Sequence, residues 1–397
     1  MTQSSAEQMR AWAGPALFSY GFRPFFLFGA AWALVAMLIW LATLTGRLEL
    51  PSRFDPVSWH AHEFLFGYLG AVLAGFLLTA VPNWTGRLPI VGWPLAALTL
   101  LWIAGRITVL VSNHLPVGMA ATVDLAFPIV LAAFILREIV AGKNWRNLVV
   151  FALLTSFTLA NALYHLEQMY SGFAAQGYAL RFALATVVLM VAVIGGRIIP
   201  SFTRNWLARK QNPARPAPPM QGFDKLTLLT SVPILMCWTV LPSAAMTGLG
   251  LFVFGALHLV RLARWKGHKT LTEPLVFVLH ASYGFIPLGA FALALNQVLE
   301  LGTTAEAQHL WMAGAIGAMT LAVMTRATLG HTGRNLTAGP ATVVIYLCIF
   351  AATFARSLTP WVSELNILSG SLWLLGFLGF LIAYGPLLMR PRGGDAA

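Results

Sequence analysis

Apolar runs of about 20 residues, long enough to cross a bilayer as a helix, recur along the whole of this 397-residue chain. That pattern removes most folds from consideration. A segment inside hydrocarbon has no water to satisfy its backbone, so it must satisfy itself, and a helix does so within one segment. The runs predict about twelve helices, at roughly 24–45, 61–82, 90–112, 117–140, 147–168, 178–200, 225–246, 248–265, 274–299, 308–329, 338–357 and 364–388. Only 10% of the residues are charged and 58% are hydrophobic, against roughly 25% charged in a soluble globule. The expected fold class is all-α, a polytopic membrane protein forming one integral membrane domain over 1–397.

Charge sets the expected orientation. With the N-terminus inside, 20 of the 25 Lys and Arg residues fall in cytoplasmic segments, among them Arg10, Arg87 and Arg392. Arg47, Arg53, Arg181 and Arg356 fall outside, and Arg106 lies within a span. This bias follows the positive-inside rule and puts both termini in the cytoplasm. It also accounts for the net charge of +12 without nucleic acid as a partner. Pro213, Pro216, Pro218 and Pro219 stiffen a cytoplasmic linker over 201–224. No cleavable signal peptide is evident, because the first apolar run is long enough to span and lacks a small-residue cleavage site.

The chain repeats itself. Ser19-Tyr-Gly-Phe22 recurs as Ser282-Tyr-Gly-Phe285, and His62 to Arg87 aligns without a gap on His309 to Arg334, with 8 identities in 26 positions. His62 falls on His309, Gly67 on Gly314, Gly70 on Gly317, and Thr85-Gly-Arg87 on Thr332-Gly-Arg334. A weaker echo sets Pro200-Ser-Phe-Thr203 on Pro82-Asn-Trp-Thr85. Helices one and two, five and six, and nine and ten would then correspond. The pattern predicts three pseudo-symmetric four-helix units, 1–146, 147–270 and 271–397.

Five of the nine histidines fall near the outer face: His60 and His62 at the start of helix two, His114 after helix three, His165 at the end of helix five and His309 at the start of helix ten. Imidazole is the common ligand of copper and haem iron. Equivalent positions in two repeats let His62 and His309 approach a flat cofactor from opposite sides, as bis-histidine haem ligation requires. Structural, hydrogen-bonded histidines are the alternative. Gly67, Gly70, Gly314 and Gly317 either admit a large ring or form a small-residue packing stripe. His60 and His62 lie about 200° apart on a helix, so His60 is left for a second metal with His165, joined by Glu63, Glu167 or His114. Otherwise these are interfacial histidines. His258 and His280 make a weaker pair in the cytoplasmic half, and His331 suits a loop cap.

Arg106 and Asp124 are charges set inside the membrane, where such groups are expensive. They form an ion pair, or Arg106 holds a haem propionate. Cys237 and Cys348 read as small buried hydrophobes. No phosphate-binding loop, nucleophile elbow or HExxH occurs.

Five stretches together resemble the NnrS family of bacterial inner-membrane proteins: Tyr20-Gly-Phe-Arg-Pro-Phe-Phe26, His60-Ala-His-Glu-Phe-Leu-Phe-Gly67, Gly75-Phe-Leu-Leu-Thr-Ala-Val-Pro-Asn-Trp-Thr-Gly86, Gly196-Arg-Ile-Ile-Pro-Ser-Phe-Thr203 and Leu329-Gly-His-Thr-Gly-Arg334. The resemblance implies haem b and copper, a role in nitric oxide metabolism and in resistance to nitrosative stress, and a lipid bilayer as the main partner. It names no redox partner and does not say which residue binds which metal. Phe64 stands where the family pattern has Met, which leaves no thioether there. The arrangement of helices two and ten is also similar to the haem–copper oxidase catalytic subunit, although helices six and seven lack that family's copper-ligand histidines. A twelve-helix secondary transporter and a purely structural assembly subunit are the competing functional classes.

Overall fold

A computed structural model describes residues 12–86, 89–299 and 304–391. Arg10, Arg87 and Arg392 of the charge argument lie outside the described residues. Among the described residues, twelve helices are long and apolar enough to cross a membrane. They are α1 Phe22–Leu44, α2 Pro56–Thr85, α3 Trp93–Leu110, α4 Met119–Ala141, α5 Trp145–Ser171, α6 Tyr178–Arg209, α7 Gly222–Val240, α8 Ala245–Arg264, α9 Pro274–Leu299, α10 Thr304–His331, α11 Pro340–Ser357 and α12 Leu365–Met389. The fold is all-α and polytopic, as the apolar runs predict.

Helix ends follow local chemistry. The Asp55 carboxylate accepts from the amides of Val57 and Ser58 at 3.0 Å each, and Pro56 fills the first helical position. Both features start α2 where its first amides would otherwise be orphaned. At the far end Gly86 takes a left-handed conformation, φ 67°, and its amide bonds the Pro82 carbonyl. That is a glycine stop. Gln221 and Asp224 form a reciprocal capping box at the start of α7. The apolar signal misses several boundaries, the end of α6 among them. α6 runs through Pro200 to Arg209, so the non-helical part of the linker is 210–221. Pro200 sits inside a helix because membrane-spanning helices tolerate proline when neighbours re-satisfy the backbone.

Two compact units divide the chain: Met1–Ala183 with Ala327–Asn335 and Phe377–Ala397, and Leu184–Arg326 with Leu336–Gly376. In the first, α2 is the central helix. Its apolar window is 83% buried, against 39% for α1 and 33% for α4. Gly29 of α1 lets Ala71 of α2 approach closely, and Gly75 of α2 admits the ring of Phe26 and the Cβ of Phe25. Arg23 donates to the carbonyls of Leu388 and Arg390 at 3.0 and 2.6 Å, so a cation satisfies the orphaned end of α12. His331 stacks on Phe22 and lies against Tyr20, with ring centroids 5.3 Å apart in both cases.

The histidine repeat has a structural signature. In α2 a regular helix from Pro56 ends at His62, a π-helical turn covers Glu63–Tyr68, and the α-helix resumes at Leu69. In α10 a regular helix ends at His309, a π-helical stretch covers Leu310–Ala318, and the α-helix resumes at Met319. Isolated π turns are rare and concentrate at functional sites. Two of them directly after aligned histidines support the pairing of these segments as repeats. The Tyr-Gly-Phe element is less regular: its first copy opens α1, and its second lies within α9.

Candidate metal centre

The first unit buries six polar side chains in one cluster: His62 and Glu63 from α2, Arg106 from α3, Asp124 from α4, and Asn161 and His165 from α5. None is more than 4% exposed. Burial of this kind is costly unless each group is paired, and the pairing here is dense.

Arg106 is the hub. Its Nη1 donates to both oxygens of Glu63 at 2.9 Å, and its Nη2 donates to Asp124 Oδ1. Trp32 Nε1 donates to Glu63 Oε2 at 2.7 Å. The second Asp124 oxygen receives Asn161 Nδ2 at 2.7 Å and His165 Nε2 at 3.0 Å. His62 Nε2 lies 3.3 Å from that same oxygen and 3.1 Å from Asn161 Oδ1. His62 Nδ1 lies 2.9 Å from Glu63 Oε1. Two carboxylates face a single guanidinium, and both ring nitrogens of His62 face acceptor oxygens, so the second negative charge is balanced by a proton on His62 or by a bound cation among His62, Asp124 and His165.

The backbone is shaped to hold this cluster. The π turn carries Glu63 and Gly67. Trp102 Nε1 donates to the Gly67 carbonyl at 3.0 Å. A Cβ at Gly67 would lie 2.5 Å from Arg106 Nη1 and 2.8 Å from Glu63 Oε2. The space at Gly67 is therefore taken by the Arg106–Glu63 fork rather than by a cofactor ring. In the second unit, a Cβ at Gly314 would meet Phe285 and one at Gly317 would meet Trp373. The small-residue reading of the glycines is the one the packing bears out at these three positions. Gly67→Ala is expected to break the fork and lower the unfolding temperature in detergent, whereas Gly86→Asn at the helix end is expected to change it little. Paired thermal scans check this.

The start of α2 is fixed as firmly. Ser58 Oγ accepts from the amides of Ala174 and Ala175, and Tyr164 donates to the Ser58 carbonyl. Glu167, a candidate co-ligand by sequence, instead accepts from the Ala179 amide near the start of α6.

Donor atoms of His62, Asp124 and His165 all lie within 4.8 Å of one another. The 3.0 and 3.3 Å nitrogen–oxygen separations match the roughly 3 Å edge expected between ligands bound about 2.0–2.2 Å from a metal. Glu63 holds the other ring nitrogen of His62, the arrangement that orients ligating histidines. Two imidazoles and a carboxylate suit Cu(II), Zn(II) or Fe(II).

Sequence reasoning found these residues but grouped them differently. It set His60 with His165, whereas the structure sets His62 there. His60 stacks on Trp40 with centroids 4.4 Å apart and contacts Phe64. His114 is exposed in the turn Ser112–His114 and stands outside the cluster. His309 belongs to the second unit, where its Nδ1 lies 2.6 Å from the Ala305 carbonyl. That bond places the proton on Nδ1 and leaves the Nε2 lone pair available. His258 and His280 also lie in the second unit, in hydrogen bonds to Ser231 and Tyr283 and to Thr203 respectively. The ion pair of Arg106 and Asp124 is present, with Glu63 as an unforeseen third member. Asn161 was missed, although it lies four residues before His165 and so shares its helix face.

No curated protein is similar enough to match the chain. The family profile described as NnrS protein matches residues 16–392, nearly the full length. The chain, with its twelve membrane-crossing helices and its buried His–Asp–His cluster, belongs to the NnrS family.

Proposed function

We propose that this chain is a metal-binding protein of the bacterial inner membrane, acting in nitric oxide metabolism and resistance to nitrosative stress. The observation that carries the metal reading is the convergence of His62, Asp124 and His165 at ligand separations, with Glu63 behind His62. Copper is the ion the family resemblance favours. Bound there, it would supply a redox-active centre able to interact with a small ligand. His62 and His165 would offer imidazole nitrogens, Asp124 a carboxylate oxygen, and Arg106 would hold Asp124 in place.

For haem b, the supporting feature is His309, whose Nε2 lone pair would hold the iron. His62 is better spent on the metal, since both its nitrogens already face partners within the first unit. The charge bias of the loops supports cytoplasmic termini.

The test is metal and optical analysis of the purified full-length protein. About one copper per chain is expected in the wild type, with near-complete loss in His165→Ala and retention in His60→Ala. His309→Ala is expected to remove or shift haem absorption without changing copper content. Wild-type protein that takes up no metal would sink the metal reading. A twelve-helix transporter remains the second reading, favoured by ionised groups buried inside membrane-spanning helices. It would gain from substrate uptake by proteoliposomes of metal-free protein.

A further inference from the structure

Beside the cluster, inside the first unit, lies a small pouch with room for about one molecule little larger than water. Phe66, Leu73, Phe127, Leu131 and Phe157 form its apolar wall, and Asp124 and Asn161 stand on its lining as the polar groups. Every one of these residues is buried. The polar groups are those of the candidate metal centre: Asp124 Oδ2 faces both histidines, and Asn161 bonds it.

Two sequence features keep this space. Gly70 is on the lining, and a Cβ there would meet only Phe127 Cε1, at 3.9 Å. Unlike Gly67, whose room is filled by Arg106, Gly70 borders open space. Pro128 is also on the lining, within α4. A proline has no amide hydrogen, so it withholds the helical donor from the carbonyl four residues earlier, which is that of Asp124. The pouch is thus apolar over most of its wall and rich in electron-pair donors at the cluster.

That division selects a ligand class. Walls of Leu and Phe side chains take up noble gases or small apolar molecules. Anions are disfavoured by Asp124, and solutes with several polar groups would lose hydrogen bonds they could not remake. Molecules that dissolve in hydrocarbon can approach laterally, because α2, α4 and α5 are membrane-spanning helices.

We propose that the pouch bounded by Gly70, Phe127 and Leu131 docks one small uncharged apolar molecule, of diatomic size, beside Asp124 and the His62–His165 pair. Its role as a waiting site for a ligand of the metal rests on the metal-centre reading above; its existence as a binding site does not.

Krypton, as a diatomic-sized probe, tests this in crystals of the full-length protein. Pressurised wild-type crystals are expected to show one anomalous peak between Phe127 and Leu131. Gly70→Leu is expected to lose the peak while keeping the wild-type copper content. Leu154→Phe, which fills the pouch from α5, provides the same test should Gly70→Leu fail to fold. His165→Ala is expected to lose copper and keep krypton. Absence of the peak in the wild type, or its persistence in both filled variants, overturns the docking site. A wild type that holds krypton and never copper overturns the metal centre and the pouch's role beside it.

Discussion

Arg106→Met should be among the most damaging single substitutions in this chain, costing about 3–5 kcal/mol of stability, the usual penalty for stripping one partner from a buried ionic group. The guanidinium lies between Glu63 and Asp124, and both carboxylates are almost wholly buried. Removing it leaves two negative charges facing each other in a medium that solvates neither. Arg106→Lys should fall between wild type and Arg106→Met. It keeps the charge but has a single nitrogen to serve two carboxylates. Adding Glu63→Gln to Arg106→Met removes one of the orphaned charges and should recover part of the loss. Thermal unfolding of the four proteins in one detergent measures the series. Equal stability of Arg106→Met and wild type would show that the carboxylates are not held as ions.

The second large effect is on metal affinity. Asp124→Asn keeps the shape of the side chain but removes its negative charge and replaces one acceptor oxygen with a donor nitrogen. One oxygen of Asp124 faces Arg106, and the other faces His62, His165 and Asn161. A loss of at least 100-fold in copper affinity is expected, about 2.8 kcal/mol at 1.4 kcal/mol per tenfold. Glu63→Gln should cost less, roughly 10–100-fold, because it orients His62 from behind rather than bonding the metal. Competition titration with a copper chelator separates the two. The order Asp124 above Glu63 is the discriminating result, and the reverse order would mean that Glu63 is itself a ligand.

Much of the architecture was legible in the apolar pattern, because a bilayer imposes one length and one backbone solution on every span. The ends were less so. α7 stops at Val240, short of the expected boundary near 246, since Leu241 and Pro242 are apolar without being helical. α6 overruns the expected end near 200 because proline within a packed membrane helix does not stop it. At the site, helix geometry separated His60 from His62, and the repeat aligned His62 with His309; each directly precedes a π turn. What could not be read was which neighbours each helix would present. Joining His62 to His165 and Asp124 depends on how α2, α4 and α5 pack. It depends too on a π turn, which leaves no trace in hydrophobicity because the added residue is as apolar as its neighbours. Asn161 was recoverable: an amide in an apolar span, one helical turn before a histidine, is a partner awaiting assignment.

The turn at Glu63–Tyr68 makes the cluster sensitive to counting as well as to chemistry. A π turn is in effect one surplus residue in an α-helix. Each residue of an α-helix advances the side chains by about 100°. Losing any one residue between Glu63 and Leu69 would leave every cluster side chain chemically intact and swing His62 about a quarter-turn relative to the buried length of α2. Lineages descending from this chain can therefore exchange apolar residues along α2 with some freedom, yet tolerate no change in the number of residues between His62 and Leu69.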